Sequence, residues 1–311
     1  MIEPLAFAIA RRGRWFLVAG LVLGLASPTL AHAMRPTVGP LVVALLFLAM
    51  LRIGPEGFRV GRAALSRALG LLCVLQLALP LAVALGLSWA GLLDRQVATG
   101  AVLIMAAAPI TGAAHIVVMT GGEPALALRQ TVIGTALLPL TVLPVFALVP
   151  AFGSAAEIAG AVLRLLAIIL CAGGLALLLR QRGVVRDTPR ARGVIDAAAA
   201  VLLGAVVIGM MSAAGETIRT RPAEFALAMA FVCALCFGLQ AAAHLLSRSP
   251  VPERPAVAVV AGNRNVALFL GVLPEPAADD LLLLIGCYQV PMYLTPLVLP
   301  WILRLRPRPH P

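Results

Sequence analysis

Apolar runs of about twenty residues follow one another along almost the whole chain, and the gaps between them are too short to hold a soluble domain. FLVAGLVLGLASPTLAHA is one such run and VCALCFGLQAAAHLL another. A bilayer span takes roughly 20 apolar residues. Backbone polar groups in hydrocarbon must be satisfied inside helices or closed barrels, and continuous runs of this length predict helices. Composition agrees, with 61% of the 311 residues hydrophobic and 12% charged, against roughly 45–50% and 25% in soluble domains. The predicted fold class is an all-α membrane protein.

Ten transmembrane helices are predicted, at 14–33, 37–53, 68–92, 97–120, 124–150, 158–179, 194–214, 223–246, 255–273 and 279–303, forming a single polytopic membrane domain over 1–311. The first run ends in small residues as a signal peptide does, but similar runs follow and it is read as the first span. All 24 basic residues are arginine. With ten spans, 18 arginines fall in one set of connecting segments and the termini. Four (Arg35, Arg95, Arg219, Arg221) fall in the other set, and Arg164 and Arg264 lie inside spans. This asymmetry predicts both termini cytoplasmic, in the cell inner membrane. It also accounts for the net charge of +11 without nucleic acid, since no basic patch is interleaved with stacking aromatics. The five cysteines lie in apolar runs, and the pair Cys233/Cys236 has no second ligand pair, so they read as small buried hydrophobes.

Two spans carry interruptions. Span 4 contains Pro109, Thr111 and Gly112 in PITGAAH, and span 9 contains Gly262 in AGNRNVA. Proline in a helix interior costs about 3 kcal/mol and glycine about 1. An offset of 152 maps one segment onto the other, and also maps Pro139 and Pro144 of span 5 onto Pro291 and Pro296 of span 10. Five spans separate each matched pair, so the halves have opposite topology. The prediction is two inverted five-helix repeats, 1–151 (spans 1–5) and 152–311 (spans 6–10), with discontinuous helices 4 and 9. This is a plan in which secondary transporters build the binding site at the breaks.

Arg264 lies mid-span, and the 13 acidic residues all map to loops or span ends. A central charge in a membrane helix costs about 2.5–3.5 kcal/mol on insertion scales. Its expected partners are carbonyls, amides, water or a visiting anion, with the anion preferred. Asn263, Asn265, His115 and Thr111 are the other candidate substrate-binding residues. His115 reads either as a hydrogen-bonded structural residue or as a proton carrier. Gln76 in span 3, and Thr131 and Thr135 one turn apart in span 5, are polar groups able to face the same region.

These segments resemble the bile acid:sodium symporter family of the bile/arsenite/riboflavin transporter superfamily. The resemblance runs from span 1 to span 10 and rests on QLALP, APITGAAHIVV, TVIGTALLPLTVLP and GNRNVAL. It implies a panel of spans 1, 2, 6 and 7 and a core of spans 3–5 and 8–10, with helices 4 and 9 crossing near the midplane. It also implies two sodium ions behind the crossing and an organic anion in front. Gln76, Thr131, Thr135 and Asn265 keep family-like residues. Val260 falls where the family has a carboxylate, Arg264 where it has a glutamine, and His115 where it has an asparagine. Hard cations favour carboxylate oxygen, and a guanidinium in the pocket opposes a second cation.

The expectation is therefore a secondary active transporter moving an organic anion, bile-acid-like or a small carboxylate or sulfonate, by alternating access. Sodium coupling is weakened or lost, and no resident metal or cofactor is expected. The guanidinium either replaces a cation or meets the anion directly. The alternatives are a sodium-coupled symporter of the same family and a membrane receptor or structural protein. An enzyme is not expected, because the chain has no HExxH, no GxSxG and no paired midplane carboxylates. Arsenite efflux would call for a soft thiolate ligand, and span 4 has no cysteine. The lipid bilayer is the one macroscopic partner expected, and the sequence sets no oligomeric state.

Overall fold

The computed structural model describes residues 13–53 and 61–303, and these are helical, with a single isolated antiparallel bridge between Pro109 and Arg264 and no strand among the described residues. Six helical runs are long and apolar enough to cross a membrane: Pro28–Ile53, Arg62–Trp89, Ala155–Gln181, Pro189–Met210, Pro222–Leu246 and Glu275–Ile302. A seventh is reached if the pair Pro124–Ala136 and Leu138–Leu148, bent by 64°, is one span.

The remaining windows of the ten-span prediction are divided by helix-stopping residues. The first helix, α1 (Gly13–Ala26), ends at Ser27, whose hydroxyl accepts from Leu30 N with Pro28 opening α2 (Pro28–Met34). This is the cap that Ser followed by Pro favours. The loop predicted at 34–36 is instead a 3-10 turn (Arg35–Thr37) leading straight into α3 (Val38–Ile53). The turn between the first two windows therefore falls at Ser27, eight residues before the Arg35 at which it was expected.

The chain divides into two compact units. The first comprises Met1–Arg59, Leu163–Phe225 and Ala267–Gly286. Its long helices are the greater part of α10 (Ala155–Gln181) and α11 (Pro189–Met210), and α11 packs on α1, α2 and α3. That contact needs bare backbone, since a Cβ on Gly20 would stand 2.5 Å from Gly204 O. Small residues let membrane helices approach in this way. α12 (Ser212–Thr220) follows within the same unit. Arg52 pairs with Asp196 at 2.8 Å, Arg35 pairs with Asp279, and Arg164 Nη2 donates to Val272 O at 2.7 Å.

The second unit comprises Val60–Val162, Ala226–Val266 and Cys287–Pro311. It opens with α4 (Arg62–Leu72), a π-helical stretch (Cys73–Ala78) and α5 (Leu79–Trp89). Then come α6 (Gln96–Ala106), α7 (Ala113–Met119), α8 (Pro124–Ala136) and α9 (Leu138–Leu148). α8 and α9 meet at Leu137, and Pro139 explains the bend there: it has no N–H for Thr135 O, and its ring crowds that carbonyl. The unit also holds most of α13 (Pro222–Leu246), all of α14 (Arg254–Gly262) and the second half of α15 (Glu275–Ile302). α14 packs on α7 and α8 around an apolar cluster that includes Ala113, Val117, Leu126, Ala127, Val257 and Val260.

Candidate functional site

Two interrupted helices of the second unit meet. α6 stops at Ala106, Ala107 turns extended (φ −65°, ψ 152°), and the helix restarts only at Ala113 behind Gly112. α14 stops at Gly262, with Asn263 extended (φ −105°, ψ 94°). The two extended segments then hydrogen-bond to each other, Ile110 N to Asn263 O at 2.9 Å and Asn265 N to Ala108 O at 2.8 Å. Buried backbone that leaves a helix must find other partners, and here each break supplies them to the other.

Arg264 sits at this junction, 1% exposed. Its Nε donates to Ala261 O at 2.9 Å, Nη1 to Ala107 O at 3.0 Å and Nη2 to Leu75 O at 2.9 Å. Each of these oxygens has lost its helical donor. Ala107 lies past the end of α6. Ala261 would receive Asn265 N, but that group bonds Ala108 O. Leu75 is freed in the π-helical stretch, where Leu79 N reaches back to Val74 O. The next amide position is Pro80, which has no N–H. The C-terminal ends of α6 and α14, each equivalent to about half a negative charge, also face the guanidinium. No described carboxylate pairs with it.

The second break is held by Asn263, which was expected to meet substrate but is fully buried among protein partners, and by Gln240, Tyr288 and Thr295, which were not among the predicted site residues. Asn263 Nδ2 donates to Met292 O at 2.9 Å and to Thr295 Oγ1 at 3.1 Å, while its Oδ1 accepts from Gln240 Nε2 at 2.7 Å. Met292 O is free because Pro296, four residues on, cannot donate to it. The Tyr288 hydroxyl accepts from Arg264 N at 3.1 Å and donates to Gly262 O, which also receives Cys236 Sγ–H at 3.1 Å. Gly262 fits because it has no side chain: a Cβ there would stand 2.5 Å from Cys236 O and 2.4 Å from Gln240 Cγ.

The other predicted residues divide by exposure. Gln76 is buried and donates to Gly134 O at 3.0 Å and Thr141 Oγ1 at 2.9 Å, on either side of the α8–α9 bend. Thr131 donates within its own helix to Ala127 O and lies 3.3 Å from Ile110 O. Thr135 is fully buried and its hydroxyl has no partner among the described residues. Val260 lies in the apolar cluster and is 1% exposed. Pro109 is buried at the bridge, whereas Thr111 and Asn265 are half-buried and Gly112 and His115 are exposed. His115 lines an open apolar cavity of about 330 Å³ with Ala114, Val118, Pro124, Ala125 and Leu128.

Gln240 and Tyr288 did carry a signal, as polar groups within otherwise apolar spans; Thr295 carried little, because a threonine can satisfy itself on its own helix. No family model matches the chain, and no curated protein matches it in sequence.

Proposed function

We propose that this protein is a secondary active transporter that moves an organic anion across the cytoplasmic membrane by alternating access. In this reading it has ten spans in two inverted repeats, a panel of spans 1, 2, 6 and 7, and a core of spans 3–5 and 8–10. Arg264 acts as a fixed internal cation where the family it resembles uses sodium, and sodium coupling is weak or absent. The observation that carries this reading is the junction of two helix breaks in repeat register, closed around a guanidinium on three backbone oxygens. Carbonyl oxygens at unwound helices are what transporters offer a coupling ion; here a side chain of the chain itself takes that place. With all three guanidinium nitrogens engaged, the arrangement favours the replaced cation over direct contact with the anion. Thr111, Asn265 and His115 then remain as the partly exposed polar groups for substrate.

Two further observations support this architecture. Gln76 of span 3 donates to Thr141 of span 5, and Gln240 of span 8 donates to Thr295 of span 10 at 2.9 Å, so each half ties its third span to its fifth. The panel and core spans also fall largely into different compact units, with Ala267–Gly286 as the main exception.

The test is uptake into proteoliposomes. Anions that raise the thermal midpoint of the purified protein are chosen first, starting from taurocholate and small carboxylates. Each is then measured with an inward sodium gradient and with choline in its place. Equal, saturable uptake in both is the expected result. Uptake that requires sodium and saturates with it would overturn the fixed-cation reading, and the absence of any anion-specific uptake would overturn transport.

A further inference from the structure

The connection between α10 and α11, residues 182–188, is a short hydrogen-bonded hairpin with an unusual division of charge. Five arginines and one acid lie between 180 and 192. Arg180 is used internally: its side chain is 5% exposed, and Nε donates to Leu51 O at 2.8 Å while Nη1 reaches Val185 O and Asp187. Arg192 Nε donates to Asp187 Oδ1 at 2.7 Å and its Nη2 meets Oδ2, which uses the one carboxylate of the hairpin. Gly183 turns the chain at φ 68°, and Val184 and Val185 N both bond Leu179 O. Thr188 caps α11 through Ala191 N at 3.1 Å. Arg182 and Arg186 are exposed, with no ion pair among the described residues, and between them Val184 is 67% exposed.

We propose that this hairpin is a docking surface for anionic phospholipid headgroups. Arg180, Arg192 and Asp187 fold the loop, so Arg182 and Arg186 are presented on that hydrogen-bonded frame at the end of two apolar helices. A guanidinium fork matches the oxygens of a phosphodiester. An apolar side chain flanked by two arginines suits the boundary between headgroups and acyl chains. Arginine counting places the hairpin on the cytoplasmic side, where anionic lipid attracts such residues. The proposal does not depend on the transport reading, because it is measured without substrate.

Full-length protein in neutral detergent is titrated with phosphatidylglycerol, phosphatidylcholine or inorganic phosphate. Native mass spectrometry counts adducts and a thermal scan follows the midpoint. Phosphatidylglycerol should give retained adducts and a raised midpoint, and phosphatidylcholine neither. The double variant Arg182→Gln/Arg186→Gln should bind phosphatidylglycerol about 25-fold more weakly, from roughly five-fold per arginine at an anionic surface. Arg182→Lys/Arg186→Lys should bind between the parent and the glutamine variant, keeping the charge but not the fork, and a parent-like midpoint of the lipid-free glutamine variant separates loss of charge from loss of fold. Undiminished phosphatidylglycerol binding by the glutamine variant would overturn the proposal. Displacement of the lipid by millimolar phosphate would overturn the lipid as occupant in favour of a soluble anion.

Discussion

At the scale of single residues, the arithmetic of Arg264 decides how it is tolerated. Taking a guanidinium out of water costs several kcal/mol. Three hydrogen bonds from a charged donor return roughly 1.5–3 kcal/mol each, and two helix C-termini add further attraction, so the group can stay charged without a carboxylate. Removing it reverses the balance. Arg264→Ala leaves three buried oxygens without donors, each costing about 1–3 kcal/mol, and the purified variant should melt well below the parent. Guanidinium ion destabilises both chains as a denaturant, but in the folded variant it can also occupy the vacated cradle, so at low concentration the variant should lose less than the parent, a difference of about 1.4 kcal/mol at ten times the dissociation constant for that site. A midpoint that falls equally for variant and parent on adding guanidinium would refute the cradle. The anomaly at Arg264 was visible in the sequence because a mid-span charge without an acid has few solutions. Its acceptors were not visible, since carbonyls leave no mark in a sequence; Pro80 alone hinted that an oxygen near Leu75 lacked its amide.

At the scale of elements, both helix breaks followed from Pro109, Gly112 and Gly262, but what the glycines do there differs. A Cβ on Gly112 would meet nothing within 4 Å, whereas one on Gly262 would enter the backbone of α13 at Cys236 O, 2.5 Å away. Gly262 is thus a residue of close approach, and Gly112 only the cap of a short helix. Gly262→Ala should cost about 1–3 kcal/mol by overpacking, and it should also disturb the Tyr288 and Cys236 contacts to Gly262 O. Gly112→Ala should shift the thermal midpoint little. Equal midpoints for the two variants would show that α13 is not held against the second break. The sequence could not separate these glycines, because the difference lies in a helix more than twenty residues away. The turn at Ser27 shows a related limit: Ser-Pro is a strong cap signal, but it lies inside a continuous apolar run, and the end of that run at Ala33 set the predicted loop.

At the scale of the whole molecule, the number of bilayer crossings turns on α6 and α7. Six runs qualify by length and a bent pair adds a seventh. α6 and α7 qualify together or not at all: eleven and seven helical residues give about 16 and 10 Å of rise, which with the extended link between them can cover a core of roughly 30 Å. If they cross as one broken span, Asp94 and Glu123 lie on opposite sides of the membrane. If they re-enter, both lie on the same side. The bent pair and α10 add two more crossings before the α10–α11 hairpin, so Val184 should share a side with Glu123. Asp94, Glu123 and Val184 are all exposed, and single cysteines at these positions in a cysteine-free chain can be labelled with an impermeant maleimide. The inverted-repeat reading and the arginine asymmetry together predict that Asp94→Cys labels in intact cells, while Glu123→Cys and Val184→Cys label only after permeabilisation. Labelling of both Asp94→Cys and Glu123→Cys from outside would make α6–α7 a re-entrant loop. That result would remove the odd spacing between matched spans, and with it the physical ground for two halves of opposite topology.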